Sequence, residues 1–301
     1  MAWSQEWHFS FEKTPARFNL ECLADFQLGS RSCCLWKIEQ HIEDILEDAK
    51  HTDSGIIFAG DIEDEDRPST RKLRREIAAD RAEVVERDAD KHMAWIDKAV
   101  IPLLLKLHKG TKYGIMGGVA GHHYTQLSSA MNSVQYIYRR LEELSGKPCV
   151  YLGEMVSFLD FRFHVGKTNT VRQVGLLQHG EGGGQTKSST VNKLERAAQG
   201  FDADFYIRGH DCQLVGTKTD QLFPKEGRGG EPAIHSRTRA MLNLGSATMG
   251  YEMRKDPSSY IESAMMRPAT MGWGRLKFRI RKALTVEDIN TNLRADIKLE
   301  F

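Results

Sequence analysis

The chain has 301 residues, of which 40% are hydrophobic and 28% are charged, so a packed core is expected and intrinsic disorder is not. Its 42 Lys and Arg residues nearly balance 41 Asp and Glu residues, which excludes a global electrostatic argument for a nucleic-acid or membrane partner. No apolar run approaches the ~20 residues of a membrane span, and the N-terminus lacks a signal-peptide pattern. Five cysteines without C-x-x-C spacing suit a reducing compartment, so we expect a cytoplasmic protein.

Short apolar strands that end in an aspartate open the chain. Residues 18–24 form one such strand, which ends at Asp25, and residues 55–59 form a second, which ends at Asp61. Between them, residues 36–50 carry apolar side chains at helical intervals. A helix between two buried strands is typical of the βαβ units of a central sheet.

A charged segment follows at 69–108, with apolar residues at helical spacing. It predicts one or two long helices, and Pro102 should kink or restart the second. The ordinary interpretation of the charge is a solvated helix face, and a lid or a homo-oligomer contact is the alternative. We therefore expect one domain over 1–301, with a charged helical insertion at about 65–110.

Residues 173–213 combine a strand, a glycine-rich loop, a helix and a second strand. The first apolar run, 174–177, is followed by His179, and the second, 205–207, is followed by His210. An earlier glycine-rich strand at 113–119 is followed by two adjacent histidines, His122 and His123. Ligands bind at the carboxyl ends of strands in α/β sheets, so these histidines should face the functional site.

The remaining elements are a helix at 128–144 and several strands. We expect these strands at 150–163, 171–178, 213–217, 233–247, 274–282 and 295–301, which gives a β-rich C-terminal part at about 217–301. In 275–281, basic residues alternate with Leu276, Phe278 and Ile280. The usual explanation is a half-buried strand, and a surface for a nucleic-acid phosphate backbone is the sharper alternative.

Carboxylates and imidazoles thus follow successive strands along the chain. In order they are Asp25, Asp61, His122 with His123, His179 and His210. A single histidine is more often structural, but these residues converging on one sheet edge would offer oxygen and nitrogen ligands to a divalent metal.

The order of these motifs resembles the signature of the calcineurin-like metallophosphoesterases: D-x-H, G-D-x-x-D, G-N-H-[DE], a lone H and G-H-x-H. The matching segments are Asp25-Phe26-Gln27, Gly60-Asp61-Ile62-Glu63-Asp64, Gly121-His122-His123, His179-Gly180 and Gly209-His210-Asp211-Cys212. The resemblance covers roughly 18–216. It implies an α/β fold, a two-sheet αββα sandwich with helices outside and metals at the carboxyl strand ends.

Two further segments resemble phage-encoded members of that family. One is the loop H-G-E-G-G-G-Q-T-K with the L-E-R that follows it, and the other is S-S-Y-I-E-S-A at 258–264. This resemblance implies a location in the host cytoplasm.

The resemblance also implies roles for the metal ligands. Asp61 would bridge two metals. His122, which stands where the family has asparagine, would bind the second metal with His179 and His210, and imidazole is a competent substitute there.

A catalytic pair is implied beside the metals. His123 would be the unligated histidine that stabilises or protonates the leaving oxygen, and Asp64 would orient its ring. The implied reaction is hydrolysis of a phosphate ester by a metal-activated water. The basic strand and the phage-like loop favour a phosphodiester in DNA or RNA, as in a phosphodiesterase or nuclease.

The first metal site departs from the family pattern. Gln27 replaces the histidine of D-x-H, and Cys212 replaces the last histidine of G-H-x-H, while Asp25 remains. Gln27 offers only a neutral carbonyl oxygen, Cys212 ligates only as a thiolate, and Asp211 could substitute if its loop is rotated. We therefore predict one or two divalent ions (Mn, Zn or Fe), with a single-metal or non-catalytic binder of nucleic acid or protein as the alternative.

The glycine loop also suggests a phosphate contact. G-G-G-Q-T-K-S has Thr186 where a P-loop requires glycine, which disfavours a nucleoside-triphosphate site. Backbone N–H groups at Gly183 and Gly184, together with Lys187, could still hold a substrate phosphate beside the metals.

Overall fold

The computed structural model describes residues 4–30, 32–64, 82–181, 186–226, 231–248, 271–282 and 293–301. Within these ranges the strands form two six-stranded sheets. The first sheet contains, in spatial order, β1 (Ser4–Phe11), β6 (Val156–Val165), β7 (Asn169–Gln178), β8 (Phe205–Arg208), β10 (Pro232–Asn243) and β9 (Val215–Glu226). The second contains β12 (Leu293–Glu300), β11 (Gly274–Lys282), β2 (Ala16–Leu23), β3 (Asp53–Ala59), β4 (Ile115–Val119) and β5 (Val150–Tyr151).

The centre of the second sheet is parallel. Strands β2, β3, β4 and β5 pair in parallel, whereas β11 and β12 add to the edge of β2 in antiparallel order. Strands β3 and β4 are buried along nearly their whole length, which explains why they are continuous apolar runs without polar alternation. The βαβ arrangement expected around the first two aspartates is present.

Five α-helices lie within the described residues: α1 (Leu35–Ala49), α2 (Ala82–Trp95), α3 (Ile101–Gly110), α4 (Ser133–Ser145) and α5 (Lys187–Gly200). A π-helical turn, Ile96–Val100, joins α2 to α3, and Pro102 lies in the first turn of α3. Proline interrupts the N–H to C=O ladder of a continuous helix, and here the interruption lies next to the π-helical turn. Among the described helices, none has the length and apolar character needed to cross a bilayer.

The core lies between the two sheets. Phe278 of β11 lies 5.2 Å, centroid to centroid, from Phe163 of β6, and Phe18 of β2 lies 4.3 Å from Phe9 of β1. The apolar residues of α1, α3 and α4 belong to the same cluster. On the other side of the first sheet, Tyr206 joins the residues of α5 in a second cluster. The predicted α/β architecture, two packed sheets with helices outside, is therefore confirmed.

Several element boundaries differ from the sequence-based expectations. The strand predicted at 150–163 is two strands, β5 and β6, with a turn between them. Strand β1 was not predicted, although Trp7, Phe9 and Phe11 alternate with polar residues there. Of the predicted helical insertion, 82–110 is helical, and 65–81 lies outside the described residues. The predicted single domain over 1–301 stays a prediction.

Candidate metal centre

The predicted ligands meet where strands of both sheets end. Asp25 follows β2, Asp61 follows β3 and the two adjacent histidines follow β4, while His179 and His210 follow β7 and β8 of the other sheet. Their ligand atoms form two groups in which all atoms lie within 4.8 Å of one another: His122, His179 and His210, and Asp25, Asp61 and His179.

The protonation pattern of His179 is set by its neighbours. Its Nδ1 lies 2.6 Å from the Ala59 carbonyl oxygen and donates to it, so Nε2 carries the free lone pair. That Nε2 lies 3.1 Å from Asp61 Oδ2, and neither atom has a hydrogen-bond partner among the described residues. Two facing acceptors repel unless a proton or a metal ion lies between them.

The pKa values of this pair show the same requirement for positive charge. Burial alone would lower the pKa of His179, but the Asp61 carboxylate raises it to about 9. Burial opposes ionisation of Asp61, but the His179 imidazole holds the pKa of that carboxyl below its usual value. A divalent ion bound to both atoms would replace the proton, so these residues fit a metal.

The other two imidazoles are suited to ligation. The rings of His122 and His210 lie 4.8 Å apart, and each lies within about 5 Å of the His179 ring. Burial lowers the pKa of His122, and burial together with His179 lowers the pKa of His210 to about 4. Both rings are therefore neutral at neutral pH and can offer nitrogen lone pairs, which zinc-class metals prefer.

Several residues at this edge of the sheets have positive φ angles. Among the described residues, those other than glycine with positive φ are Asp25 (52°), Gln27 (47°), Asp61 (55°), His210 (79°) and Cys212 (50°). All of them are predicted site residues. Such conformations cost about 1–3 kcal/mol each and are concentrated at functional sites, so this edge is strained where the ligands are presented.

Glycine is required at two positions that touch the central pair. A side chain at Gly60 (φ 97°) would place its Cβ 2.5 Å from His179 Nδ1, and one at Gly121 (φ 84°) would place it 2.2 Å from Asp61 Oδ1. That Oδ1 accepts the backbone N–H groups of His122 and His123, at 2.7 and 2.8 Å. These contacts leave Asp61 Oδ2 as the oxygen directed at His179.

His123 stands beside the metal-ligand groups. Its Nδ1 lies 2.9 Å from Asp64 Oδ2, and its Nε2 lies 3.7 Å from Asp61 Oδ2. The side chain is 26% exposed, so a substrate could reach it. The carboxylate at Nδ1 orients the ring, and Nε2 faces the metal-ligand residue Asp61.

The group of Asp25, Asp61 and His179 is less suited to hold an ion of its own than the group of three histidines. His179 belongs to both groups but has one free lone pair, so it can serve only one ion. Burial raises the pKa of Asp25 to about 7, and its Oδ2 accepts the His210 N–H at 3.0 Å. Gln27 is half-buried, and its backbone N–H binds the Asp61 carbonyl at 3.0 Å.

Cys212 does not join either group of converging ligand atoms among the described residues. Burial, together with the nearby Asp25 carboxylate, raises the pKa of its thiol well above the usual value, so it is a thiol and not a thiolate without a bound cation. Its Sγ lies 3.5 Å from the His210 carbonyl oxygen. Ligation by Gln27 and Cys212 stays a prediction.

Asp211, which could replace a lost ligand if its loop were rotated, is bound by other side chains in this structure. Its buried carboxylate binds the guanidinium of Arg208 and, at 2.7 Å, Lys193 Nζ. Arg208 also reaches the carbonyl oxygen of Glu181, at 3.3 Å, so the three side chains brace the loop that follows His179. Sequence reasoning missed Arg208 and Lys193: Arg208 lies only three residues from Asp211 but within an apolar strand, and Lys193 comes from the neighbouring helix.

The predicted phosphate contact is described only in part. Gly183 and Gly184 lie outside the described residues. The segment 258–264, which resembles phage-encoded members of the family, also lies outside them. Lys187 is the exposed first residue of α5, and Thr186 caps this helix by accepting the Ser189 N–H at 3.2 Å.

The basic strand β11 is a half-buried strand whose charges are mostly compensated. Arg275 binds Glu21 at 3.0 Å and also Asp48, Lys277 binds Glu300 at 2.5 Å, and Arg281 binds Asp296 at 2.7 Å. Arg279 is exposed. The carboxylates come from β2, α1 and β12, so the alternating pattern alone overstated the positive charge available to a phosphate backbone.

No family model matches the chain, and no curated protein matches it. One similar solved structure is a conserved uncharacterized protein from Streptococcus pneumoniae TIGR4, described as a predicted phosphoesterase. It is 13% identical, with a TM-score of 0.31 and coverage of 95% of this chain and 99% of that chain. Vps29 from Chaetomium thermophilum is 11% identical, with a TM-score of 0.31 and coverage of 95% and 96%. At these values, neither likeness assigns an activity to this chain.

Proposed function

We propose that this protein is a metal-dependent phosphoesterase of the calcineurin-like class. The observation that supports it most strongly is the buried pair of His179 Nε2 and Asp61 Oδ2, which lie 3.1 Å apart and have no other hydrogen-bond partner among the described residues. His122 and His210 add neutral imidazoles to this pair. The order in which these residues follow their strands matches the motif order of that class.

In this proposal, His122, His179, His210 and Asp61 hold a divalent ion. When bound, such an ion supplies Lewis-acid stabilisation of a phosphoryl oxygen and lowers the pKa of a water. The buried carboxylate of Asp61 compensates the charge, and its second oxygen is fixed by the backbone of the histidine segment. The donor set of three imidazoles and a carboxylate favours zinc or iron over manganese.

His123 and Asp64 supply the proton in the proposed reaction. Asp64 accepts from Nδ1–H of His123 and stabilises the imidazolium form, in which Nε2 also carries a proton for the leaving oxygen. When the leaving oxygen receives this proton, the leaving group departs as an alcohol and not as an alkoxide. This step depends on the ring orientation, which the 2.9 Å contact with Asp64 fixes.

Within this class we favour a phosphodiester substrate, with DNA and RNA as the first polymers to test. The motif resemblance and the exposed Lys187 and Arg279 support this choice. The compensated charges of β11 weigh against that strand as the main contact surface. Any larger contact surface must therefore lie elsewhere on the protein.

A single-metal protein without catalytic activity is the second candidate. Two features favour it: the free lone pair of His179 can serve only one ion, and burial raises the pKa of the Cys212 thiol well above its usual value, which disfavours the thiolate that would bind a second ion. Such a protein would bind a metal ion through the three imidazoles and bind nucleic acid or a protein partner.

Elemental analysis and a hydrolysis assay distinguish the two candidates. The metal-free protein is loaded with Mn²⁺, Zn²⁺ or Fe²⁺ and assayed with bis(p-nitrophenyl) phosphate, p-nitrophenyl phosphate, and single- and double-stranded DNA. Activity that requires the ion, and that is lost on DNA in His123→Ala, supports the enzyme. His164→Ala, on β6, is the matched histidine control. A loaded protein that is inactive on every substrate supports the second candidate.

A further inference from the structure

Glu63 is a buried carboxylate that belongs to neither candidate metal-ligand group. Its Oε1 accepts the backbone N–H of Thr125 at 3.0 Å and the hydroxyl of Ser133 at 2.6 Å. His92 of α2 presents its Nε2 3.6 Å from the same oxygen. One carboxylate therefore contacts the segment after β4, the first residue of α4 and the helical insertion.

These contacts fix the surroundings of His123 from two directions. Glu63 is adjacent in sequence to Asp64, which holds the His123 ring at 2.9 Å. It also binds the backbone of Thr125, two residues after His123. Glu63 therefore holds both the segment that carries the His123 ring and the turn that carries Asp64.

The three acidic residues at 61–64 bind different parts of the segment that follows β4. Asp61 binds the backbone of His122 and His123, Glu63 binds the backbone of Thr125, and Asp64 binds the side chain of His123. Of the three, Glu63 belongs to neither candidate metal-ligand group, and it binds the segment beyond His123 through Thr125. A buried carboxylate is costly unless it is hydrogen-bonded, and here its hydrogen bonds reach the segment after β4 and the first residue of α4, while the His92 ring of α2 lies 3.6 Å away.

We propose that Glu63 is a positioning residue for His123, and that its contact with His92 couples the helical insertion to the proton donor. This inference rests on the proposed phosphoesterase function. It assigns Glu63 to the protonation of the leaving group and not to metal binding. Loss of Glu63 should therefore affect a substrate only as far as that substrate needs a proton on its leaving oxygen.

The test compares two phosphodiesters that differ in leaving group. Thymidine 5′-p-nitrophenyl phosphate releases p-nitrophenolate, which needs little protonation, whereas a thymidine dinucleotide releases an alkoxide, which needs a proton. Glu63→Ala should lower kcat for the dinucleotide about 100-fold, since general acid catalysis contributes roughly 10²–10⁴-fold. It should leave kcat for the p-nitrophenyl ester, KM for both esters and the metal content nearly unchanged.

Glu63→Gln is the conservative variant, because its amide oxygen can still accept from Thr125 and Ser133. It should retain most of the dinucleotide activity. His92→Ala should show a smaller loss of the same kind, confined to the dinucleotide. The ring ¹⁵N resonances of His123 provide a readout that does not depend on activity, and they should shift in Glu63→Ala but not in Glu63→Gln.

Three results would overturn the inference: equal loss of kcat on both esters, loss of bound metal in Glu63→Ala, or unchanged His123 resonances in that variant. A wild-type protein that hydrolyses neither ester contradicts the proposed function itself. In that case, shifted His123 resonances in Glu63→Ala would still support the positioning role, and unshifted resonances would refute it.

Discussion

Asp61 Oδ2 and His179 Nε2 lie 3.1 Å apart in the interior, and each offers a lone pair to the other when His179 is neutral. The Ala59 carbonyl oxygen, 2.6 Å from Nδ1, prevents the imidazole from relieving this contact by moving its proton to Nε2. A second proton or a divalent ion resolves it. The chemistry of the whole strand edge follows from this requirement.

Metal binding should therefore compete with a proton. Burial disfavours the charged form of His179, but Asp61 raises its pKa to about 9, so the metal-free protein carries this proton at neutral pH. Because the folded pKa is raised above its usual value of 6.5, the contact stabilises the metal-free fold fully below pH 6.5 and loses this effect as the pH rises through about 9. Zinc affinity should rise about tenfold per pH unit up to that value.

Calorimetric titration with zinc in two buffers of different ionisation enthalpy measures this release. One proton per bound ion is expected from His179 near neutral pH. His164→Ala should release the same number, whereas His179→Ala should bind zinc weakly. Zinc binding that is independent of pH between neutrality and pH 9 would contradict the assignment of His179 as a ligand.

Replacing Gln27 and Cys212 by the histidines of the family motif should create a second strong metal site. Gln27 and Cys212 have φ values of 47° and 50°, and histidine adopts this left-handed region more readily than most residues. The double variant Gln27→His/Cys212→His should bind the second ion more tightly by at least the roughly 10–100-fold that even an outer partner of a ligand contributes. Elemental analysis after extensive dialysis should change from one ion per chain to two.

The matched control for that variant is Cys212→Ser, which removes the thiol without adding an imidazole. It should stay at one ion per chain. If wild type already retains two ions under the same dialysis, Gln27 or Cys212 ligates in its present form.

Gly60→Ala should remove metal binding by displacing His179. The added methyl group would lie 2.5 Å from His179 Nδ1. Gly166→Ala is a matched control because Gly166 also has a positive φ, 62°, but an added Cβ there meets nothing within 4 Å. Both variants should lose about 1 kcal/mol of stability from backbone strain, and only Gly60→Ala should lose zinc affinity. Equal affinities in the two variants would argue against close packing of His179 on this turn.

His108 should make the fold sensitive to acid. The Ile115 N–H donates to its Nδ1 at 2.7 Å, and its Nε2 lies 2.8 Å from Ser145 Oγ, so a second proton would break the first bond. Burial lowers its pKa from 6.5 to about 4. Because the folded pKa is depressed, the stabilisation is complete above 6.5 and is lost as the pH falls through about 4, up to roughly 3 kcal/mol.

Urea denaturation at pH 7 and pH 4.5 measures this loss. His108→Gln should be less stable than wild type at pH 7 but should lose less stability between the two pH values. The exposed His8 is the control, since His8→Gln should follow the wild-type profile. A His108→Gln profile parallel to that of wild type would show that other groups cause the acid sensitivity.

The ends of the apolar strands could be predicted from sequence because their signals are local. Asp25, Asp61 and His179 each follow a short apolar run, and such runs meet at one edge of a sheet. Strand β1 was missed because its alternating pattern is short and its partner, β6, is distant in the chain. The turn between β5 and β6, at Gly153 and Glu154, was missed because apolar residues flank it on both sides.

The partners of charged residues could not be predicted from sequence. Arg275 looks like part of a basic face, but Glu21, 254 residues away in the chain, neutralises it. Glu63 looked like a spacer between two functional aspartates, and its contacts with Thr125 and Ser133 depend on how two loops fold together. Pairings of this kind follow from tertiary structure and leave no periodic signal.

The most direct test of the metal-centred proposal is hydrolysis of bis(p-nitrophenyl) phosphate by the metal-free protein during titration with Zn²⁺, Mn²⁺ or Fe²⁺. The expected result is a rate that rises with bound metal, saturates when the site formed by His122, His179, His210 and Asp61 is filled, and is abolished in His179→Ala. A protein that binds the ion fully and hydrolyses no phosphodiester, or a His179→Ala variant with the wild-type rate, would contradict it.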